Sequence, residues 1–283
     1  MAGGPTTPAL VNAVTFGFLA LGTCTPAQAR QWLAQCQAPF GANLFMPHEE
    51  PLLDDVSVTA QLLHANVPTV DVTSGFQEKF SLVLEAAPAV VSSMFGAFTH
   101  EQVDQLRAVG SQAWVTVTSV SEAHQALHAD GLIVQGPLAG GHRGTWDQRT
   151  EPGDDSLGEL LTQIVPLGLP VIAAGGVRGP EDVARAGVPV ACGTAFLLAD
   201  EAGTSPRNRE LLRSDAPAVV TRAFSGRWAS GVETAFTRAH PDLPPTYPYL
   251  RPMTSTNDYC LVGADRGELL TAPAGEIERM LTG

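Results

Sequence analysis

The chain has few basic residues, and nearly all of them are arginines. Its 283 residues include 16 Lys and Arg against 29 Asp and Glu, which gives a formal net charge of -13. Proteins that bind nucleic acid or an anionic membrane surface draw on Lys and Arg to do so. This composition argues against both partners and favours a small molecule. Lys79 is the one lysine, so chemistry that requires a lysine amine would have to use that position.

Cysteines and long apolar runs are also scarce. Cys24, Cys36, Cys192 and Cys260 form no CxxC pair and no dense cluster, which argues against a disulfide framework and a zinc site. A reducing cytoplasm is therefore the expected location. No apolar run in the sequence approaches the roughly 20 residues that a membrane-spanning helix needs. We expect a soluble protein without a metal, and the sequence leaves open whether it forms a homo-oligomer.

Short apolar runs alternate with helical patterns along most of the chain. Seven runs show little alternation of polarity, which is typical of strands buried on both faces of a parallel sheet. They are FGFLAL (16–21), FGANLF (40–45), PAVVSSMFG (88–96), AWVTVTS (113–119), GLIVQG (131–136), PVIAAGG (170–176) and PVACGTAFLL (189–198). Helical patterns that begin with Ser, Thr or Pro separate several of these runs. Repeated β–α units predict a parallel α/β fold, and the length fits one barrel or two smaller domains.

Two segments interrupt this alternation. Residues 46–87 separate two predicted strands and should hold helices around LLDDVSVTAQLLHAN and FQEKFSLVLEAA, as an inserted helical segment. Residues 201–283 contain the proline-rich PDLPPTYPYLRP and end in a predicted helix, APAGEIERMLTG. We therefore divide the chain into a barrel over residues 1–200, which carries the insertion, and a C-terminal helical or lid region over residues 201–283.

Glycines cluster where predicted strands end, at 136–144, 175–176 and 193, and also at the start of the chain. In parallel α/β folds, ligands bind at the carboxyl ends of the strands. Glycine lets backbone N–H groups approach a ligand closely, and a helix N-terminus provides a potential that favours phosphate. Any one cluster is equally well explained by a tight turn. Their shared position at strand ends predicts a phosphate-bearing ligand.

The stretch GPLAGGHRGTWDQ (136–148) places one histidine and one arginine among four glycines. Because the flanking glycines have no side chains, this loop cannot bury His142 by packing of its own. A neutral imidazole can accept or donate a proton near pH 7, so His142 is a predicted catalytic base. Arg143 would bind a substrate carboxylate or face solvent. His124 and His128 lie four residues apart on a predicted helix without a third ligand, which favours a solvated face over a metal site.

Several motifs resemble those of the FMN-dependent nitronate monooxygenases, once called 2-nitropropane dioxygenases. They are MAGGPTTPAL, FGANLFMP, VVSSMFG, VQGPLAGGHRGTW, PVIAAGGV, GTAFLLADEAGTSP and VVTRAFSGR. The resemblance runs from residue 1 almost to the C-terminus. It implies a TIM-type (β/α)8 barrel with a small helical subdomain on the substrate side, and FMN as the cofactor of a flavoprotein monooxygenase. The implied reaction is the oxidation of alkyl nitronates, such as propionate 3-nitronate, by O2 to a carbonyl compound and nitrite.

The same resemblance implies which residues bind the flavin. Met1, Ala2 and Gly3 correspond to the end of the family's first strand, and Asn43 and Gln135 to its polar contacts with the isoalloxazine or ribityl chain. The positions that cradle the phosphate and flank the flavin are matched by Gly140, Gly141, Gly175, Gly176, Gly193 and Thr194. His142 falls on the family's catalytic histidine, which deprotonates a neutral nitroalkane or stabilises the nitronate.

The sequence also departs from the family pattern. Family members begin with a strand that precedes Met-Ala-Gly-Gly, so the first strand is expected to be truncated or missing here. Several connections between predicted strands are shorter than in the family, and Pro137 and Leu138 stand where relatives often have Glu. Two alternatives therefore stay open beside the nitronate enzyme. One is an FMN-dependent enoyl reductase that uses NAD(P)H, and the other is a degenerate family member without catalytic activity.

Overall fold

The structure is a computed structural model that describes residues 5–256 and 258–283. The strands are β1 (Phe18–Ala20), β2 (Gly41–Phe45), β3 (Val90–Met94), β4 (Gln112–Val117), β5 (Gly131–Gln135), β6 (Gly141–His142), β7 (Val171–Ala174), β8 (Val190–Ala191), β9 (Ala218–Thr221) and β10 (Ala229–Val232). The helices are α1 (Pro8–Asn12), α2 (Pro26–Leu33), α3 (Leu53–Leu62), α4 (Phe76–Ala86), α5 (His100–Ala108), α6 (Val120–Gln125), α7 (Leu157–Ile164), α8 (Pro180–Ala186), α9 (Pro206–Arg213), α10 (Ala235–Ala239), α11 (Leu250–Met253) and α12 (Ala274–Thr282). In the described part of the chain, no helix is long and apolar enough to pass through a membrane.

Each of the seven predicted apolar runs contains a strand of one parallel sheet, but in the run 189–198 only Val190–Ala191 is a strand, and Thr194–Phe196 form a short 3-10 helix instead. The strand order is β1-β2-β3-β4-β5-β7-β8, and every neighbouring pair is parallel. The sheet curls into a half-barrel, which confirms the predicted α/β fold of the TIM type. Among the described residues no strand precedes β1, so β1 and β8 form the two edges of this sheet.

The main core lies between the parallel sheet and its helices. Strand β5 is buried along its whole length, as its unalternated apolar sequence predicts. Within residues 46–87 the two helices have different surroundings. Helix α4 packs into this main core through Phe80 and Val83, whereas Val56 and Ala60 of α3 form a separate cluster with Met253. The insertion therefore connects the barrel with the C-terminal region.

Helix α6 begins at Val120, because Ser119 caps it by accepting a hydrogen bond from the backbone N–H of Glu122. The helix ends at Gln125. His128 therefore lies beyond the helix, and the predicted helical pair with His124 does not form.

A small apolar cluster links the segment that leads into β1 with the segment that follows β8. Leu10 of α1 packs in this cluster with Ala199 and with Ile277 of α12. The backbone N–H and the hydroxyl of Thr15 both donate to the carboxylate of Glu278. Helix α12 thus connects the chain on the two sides of the open sheet, and covering unpaired edges with a helix is one way in which proteins protect them.

A second, three-stranded sheet is antiparallel and has the order β6-β10-β9. Strands β9 and β10 lie in residues 201–283, where helices were expected from the sequence. Strand β6 has only two residues, so its conformation depends on its partner more than on its own sequence. His142 pairs with Ala229, and Gly141 pairs with Ser230. The C-terminal region therefore holds His142 in place.

Candidate functional site

A cavity of about 320 Å³ opens at the carboxyl edge of the parallel sheet. Nine of the twelve residues that the sequence analysis assigned to the site line it. They are Asn43, Gln135, Gly140, Gly141, His142, Gly175, Gly176, Gly193 and Thr194. The remaining three, Met1, Ala2 and Gly3, lie outside the described residues.

Strand register explains why these distant positions meet. Gln135 at the end of β5 pairs with Ala174 at the end of β7, and Ala174 pairs with Ala191 at the end of β8. The glycines that follow β7 and β8 therefore leave the sheet at the same level as Gln135. These glycines and Gln135 therefore lie on one rim, the carboxyl edge of the sheet, as the sequence predicts for the ends of parallel strands.

The glycines on this rim are there for different physical reasons. Gly141 has a φ of +83°, and a Cβ built on it would meet no atom within 4 Å, so its backbone faces open space. Gly175 has a φ of +107°, which a residue with a side chain adopts only with strain. Gly140 is required by packing, because a Cβ there would lie 2.6 Å from the backbone nitrogen of Gly263. The C-terminal segment around Gly263 thus passes directly over the glycine loop.

The two polar residues of the strands already hold neighbouring groups. The amide nitrogen of Asn43 donates to the hydroxyl of Ser92 at 2.9 Å. Gln135 donates to the carbonyl of His142 at 3.1 Å and accepts from the backbone N–H of Gly144 at 2.8 Å. Gln135 therefore fixes the loop that carries His142. Asn43 also donates to the Ser92 carbonyl at 3.3 Å, so its carbonyl oxygen is the group left for a ligand, whereas Gln135 keeps a second N–H and a second lone pair.

His142 is deeply buried, contrary to the expectation of a bare loop. It is only 7% exposed, and its Nε2 lies 2.8 Å from the Ser225 hydroxyl oxygen. The rings of Phe45, Phe95 and Tyr247 surround it edge-on at centroid distances of 5.7–5.9 Å. The glycines of its own loop do not bury the imidazole. Residues that are remote in the sequence bury it instead.

These surroundings keep the imidazole neutral. Burial is the main cause that lowers the pKa of His142 to about 3, and the positive charge of Arg227 acts in the same direction, as does His48 when it is protonated. Arg227 is itself buried, stacks on the Phe95 ring at 3.9 Å, and donates to the carbonyls of Thr145 and Trp146. A fixed cation beside a neutral imidazole produces a positive potential that favours an anion at this end of the cavity.

Arg143, the other notable residue of the loop, has a structural position. It is 5% exposed and donates from Nη1 to the carbonyl of Pro137 at 2.7 Å. It is not among the described residues that line the cavity. Neither suggestion made from the sequence, a substrate carboxylate or exposure to solvent, agrees with this location.

The charge of the cavity wall is opposite to that of the chain as a whole. Among its described lining residues, the cavity has two arginines, Arg178 and Arg251, and neither Asp nor Glu. Sequence reasoning singled out neither arginine, and it gave no role to Ser225 or Arg227. Ser225 and Arg227 both lie in the TRAFSGR motif that contributed to the family resemblance. This motif is the sequence feature from which a role for them could have been predicted.

Comparisons with known proteins identify the family to which the chain belongs. The family model described as nitronate monooxygenase matches residues 1–272. The chain is 32% identical to a nitronate monooxygenase from Pseudomonas aeruginosa, over 98% of this chain and 92% of the relative. It is 31% identical to one from Paraburkholderia phytofirmans, over 87% of this chain and 76% of the relative.

Solved structures show the same relationship. A nitroalkane oxidase from Streptomyces ansochromogenes superposes with a TM-score of 0.88 and 31% identity, over 99% of this chain and 92% of that chain. FabK from Thermotoga maritima has a TM-score of 0.74 at 22% identity, over 99% of this chain and 89% of that chain, which supports the fold alone. Because the family model and the relatives cover nearly the whole chain, the protein belongs to the nitronate monooxygenase family of oxidoreductases, which are in general flavin-dependent.

Proposed function

We propose that this chain binds FMN in the cavity and oxidises alkyl nitronates with O2 to a carbonyl compound and nitrite. The observation that supports this proposal most directly is the wall of the cavity. In a chain with a net charge of -13, the described lining residues include two arginines and no carboxylate. FMN and a nitronate are both anions, and a wall of this kind attracts anions against the charge of the rest of the protein.

The residues of the cavity fit a flavin mononucleotide. Gly141 presents open backbone, and Gly175, Gly176 and Gly193, which follow β7 and β8, line the same cavity. Within residues 5–256 and 258–283, the buried Nε and Nη2 of Arg178 have no hydrogen-bond partner. We assign Asn43 and Gln135 to polar contacts with the flavin, and Gly140, Gly141, Gly175, Gly176, Gly193 and Thr194 to the cradle around it. When bound, FMN supplies the redox chemistry together with O2.

In this proposal the imidazole of His142 is neutral when the substrate binds. A pKa of about 3 leaves the imidazole unprotonated at neutral pH, so it is free to accept a proton. The same low pKa gives little driving force for removing a proton from carbon. A preformed nitronate needs no such step. We therefore assign His142 as the base for neutral nitroalkanes and as a hydrogen-bonding group for nitronates, and the preferred substrate is the nitronate anion.

The test is an aerobic assay of the purified protein with added FMN. Nitrite release from propionate 3-nitronate is followed beside a parallel record of NADH oxidation. The proposal expects nitrite without consumption of NADH. NADH oxidation without nitrite would support an enoyl reductase instead. No nitrite, together with no flavin spectrum after dialysis, would identify a family member that has lost the chemistry.

A further inference from the structure

The hydroxyl of Ser225 meets the imidazole of His142 on one side, and the cavity meets it on another. Ser225 is 1% exposed, and its Oγ lies 2.8 Å from Nε2 of His142. Within residues 5–256 and 258–283, the other ring nitrogen, Nδ1, makes no hydrogen bond, and it is not sealed from solvent. Because His142 lines the cavity, Nδ1 is the ring nitrogen that a ligand can reach.

A neutral imidazole carries one proton, and the hydrogen bonds of Ser225 decide which nitrogen holds it. A serine hydroxyl has one proton to donate and two lone pairs that accept. The backbone N–H of Arg227 already donates to Ser225 Oγ at 3.4 Å. In the described part of the chain, the hydroxyl proton of Ser225 has no acceptor other than Nε2 of His142. A buried O–H without an acceptor is costly, so Ser225 donates to Nε2 and the imidazole proton lies on Nδ1.

We propose that Ser225 fixes the tautomer of His142 with its proton on Nδ1, so that His142 donates a hydrogen bond to the nitronate anion in the cavity. This inference rests on the proposed function, because it requires a nitronate as the ligand. The positive charge of Arg227 acts on the same ring and favours an anion there. Ser225 acts through His142 and is therefore a positioning residue.

This tautomer also makes the site selective between two forms of one substrate. A neutral nitroalkane has to transfer a proton from its carbon to Nδ1, which requires Nδ1 to be unprotonated. In that tautomer Nε2 carries the proton, and the hydroxyl proton of Ser225 loses its acceptor. The nitronate needs no proton transfer and accepts the Nδ1–H bond directly, so Ser225 favours the nitronate over the nitroalkane.

NMR on the full chain with ¹⁵N-labelled histidine and added FMN locates the proton directly. Long-range ¹H–¹⁵N correlations distinguish the two neutral tautomers, and His142→Gln identifies the signals of His142. We expect a protonated Nδ1 and an unprotonated Nε2 in wild type. In Ser225→Ala the ring loses its hydroxyl partner, and both tautomers should contribute to the spectrum.

Steady-state kinetics test the selectivity with nitroethane and its preformed nitronate. Ser225→Ala should raise KM for the nitronate by about 3- to 10-fold, the effect of weakening one hydrogen bond, and leave kcat within about 3-fold. The value of kcat/KM for nitroethane should not fall, so the preference for the nitronate becomes smaller. Ser225→Cys keeps a weak donor and should fall between wild type and Ser225→Ala.

Ser230→Ala is the matched control. Ser230 lies on β10, where it pairs with Gly141, and its buried hydroxyl has no hydrogen-bond partner among the described residues. This variant should keep the tautomer of His142 and the kinetic constants of wild type for both substrates.

Three outcomes overturn the inference. In the first, wild type carries the His142 proton on Nε2. In the second, Ser225→Ala keeps the wild-type KM for the nitronate, or lowers kcat/KM for both substrates by the same factor. Either result leaves the proposed function intact. In the third, wild type releases no nitrite from the nitronate, which overturns the proposed function and, with it, the ligand assigned to the Nδ1–H group.

Discussion

Lowering the pH from 7 to 5 is expected to destabilise the folded protein through His142. Burial is the main cause that lowers its pKa from 6.5 to about 3 in the folded state. Between these values the unfolded chain binds a proton at His142 and the folded chain does not. The free energy of unfolding must therefore fall as the pH falls through this window.

The expected magnitude follows from the size of this window. One group that titrates only in the unfolded state changes the free energy of unfolding by about 1.4 kcal/mol per pH unit, which amounts to about 2 kcal/mol between pH 7 and pH 5. His48, whose pKa burial lowers to about 4, acts in the same direction. Burial raises the pKa of Glu122, which acts in the opposite direction. A comparison with His142→Gln removes these common contributions.

Urea unfolding at both pH values, followed by circular dichroism, measures the effect. The loss of stability between pH 7 and pH 5 should be smaller in His142→Gln than in wild type by about 2 kcal/mol. The control is His124→Gln, which changes an exposed histidine of α6. This variant should lose as much stability between pH 7 and pH 5 as the wild type does. Equal losses in wild type and His142→Gln would refute the reasoning, because His142 would then titrate alike in both states.

Three other substitutions test the contacts that hold the site. Gly140→Ala should lower the free energy of unfolding by about 1–3 kcal/mol in urea, because the new methyl group would lie 2.6 Å from the backbone nitrogen of Gly263. Ser225→Ala removes the hydroxyl that lies 2.8 Å from Nε2 of His142 and should cost about 1–3 kcal/mol in the same experiment. Lys79→Met should lower the melting temperature by about 4–10 °C, since the Lys79 ammonium is the hydrogen-bond donor to three buried carbonyls.

Each of these substitutions has a control at an exposed position. Gly153→Ala adds a methyl group where no atom lies within 4 Å. Ser121→Ala removes an exposed hydroxyl on α6, and Gln77→Met changes an exposed residue on α4, the helix that carries Lys79. All three should leave stability close to that of the wild type. A site variant that is no less stable than its control contradicts the contact assigned to it.

The sheet was predictable because its signals are local. Runs such as GLIVQG need no distant partner to be recognised as buried strands, and each of the seven runs contains a strand of the parallel sheet. The glycine clusters at 136–144, 175–176 and 193 lie at one rim for a related reason, since parallel strands end at the same edge, whereas the cluster at the start of the chain lies outside the described residues. Local pattern and a general rule of topology thus located the cavity.

The surroundings of His142 could not be predicted in this way. Its hydroxyl partner Ser225 lies 83 residues further along the chain, and Tyr247 reaches the imidazole from the proline-rich segment. No periodicity within residues 201–283 encodes these contacts. Strands β9 and β10 escaped prediction because they are short and are specified mainly by pairing with each other and with β6. Arg178 escaped because the sequence does not distinguish a buried arginine from a solvated one.

The most direct test of the central claim compares wild type with His142→Ala, both loaded with FMN. Nitrite release is measured with a preformed alkyl nitronate and with the corresponding neutral nitroalkane. We expect the variant to retain FMN, to lose turnover of the neutral nitroalkane by about 10²- to 10⁴-fold, and to lose far less with the nitronate. Equal activity of the variant and wild type on both substrates, or no nitrite from wild type with the nitronate, would contradict the account.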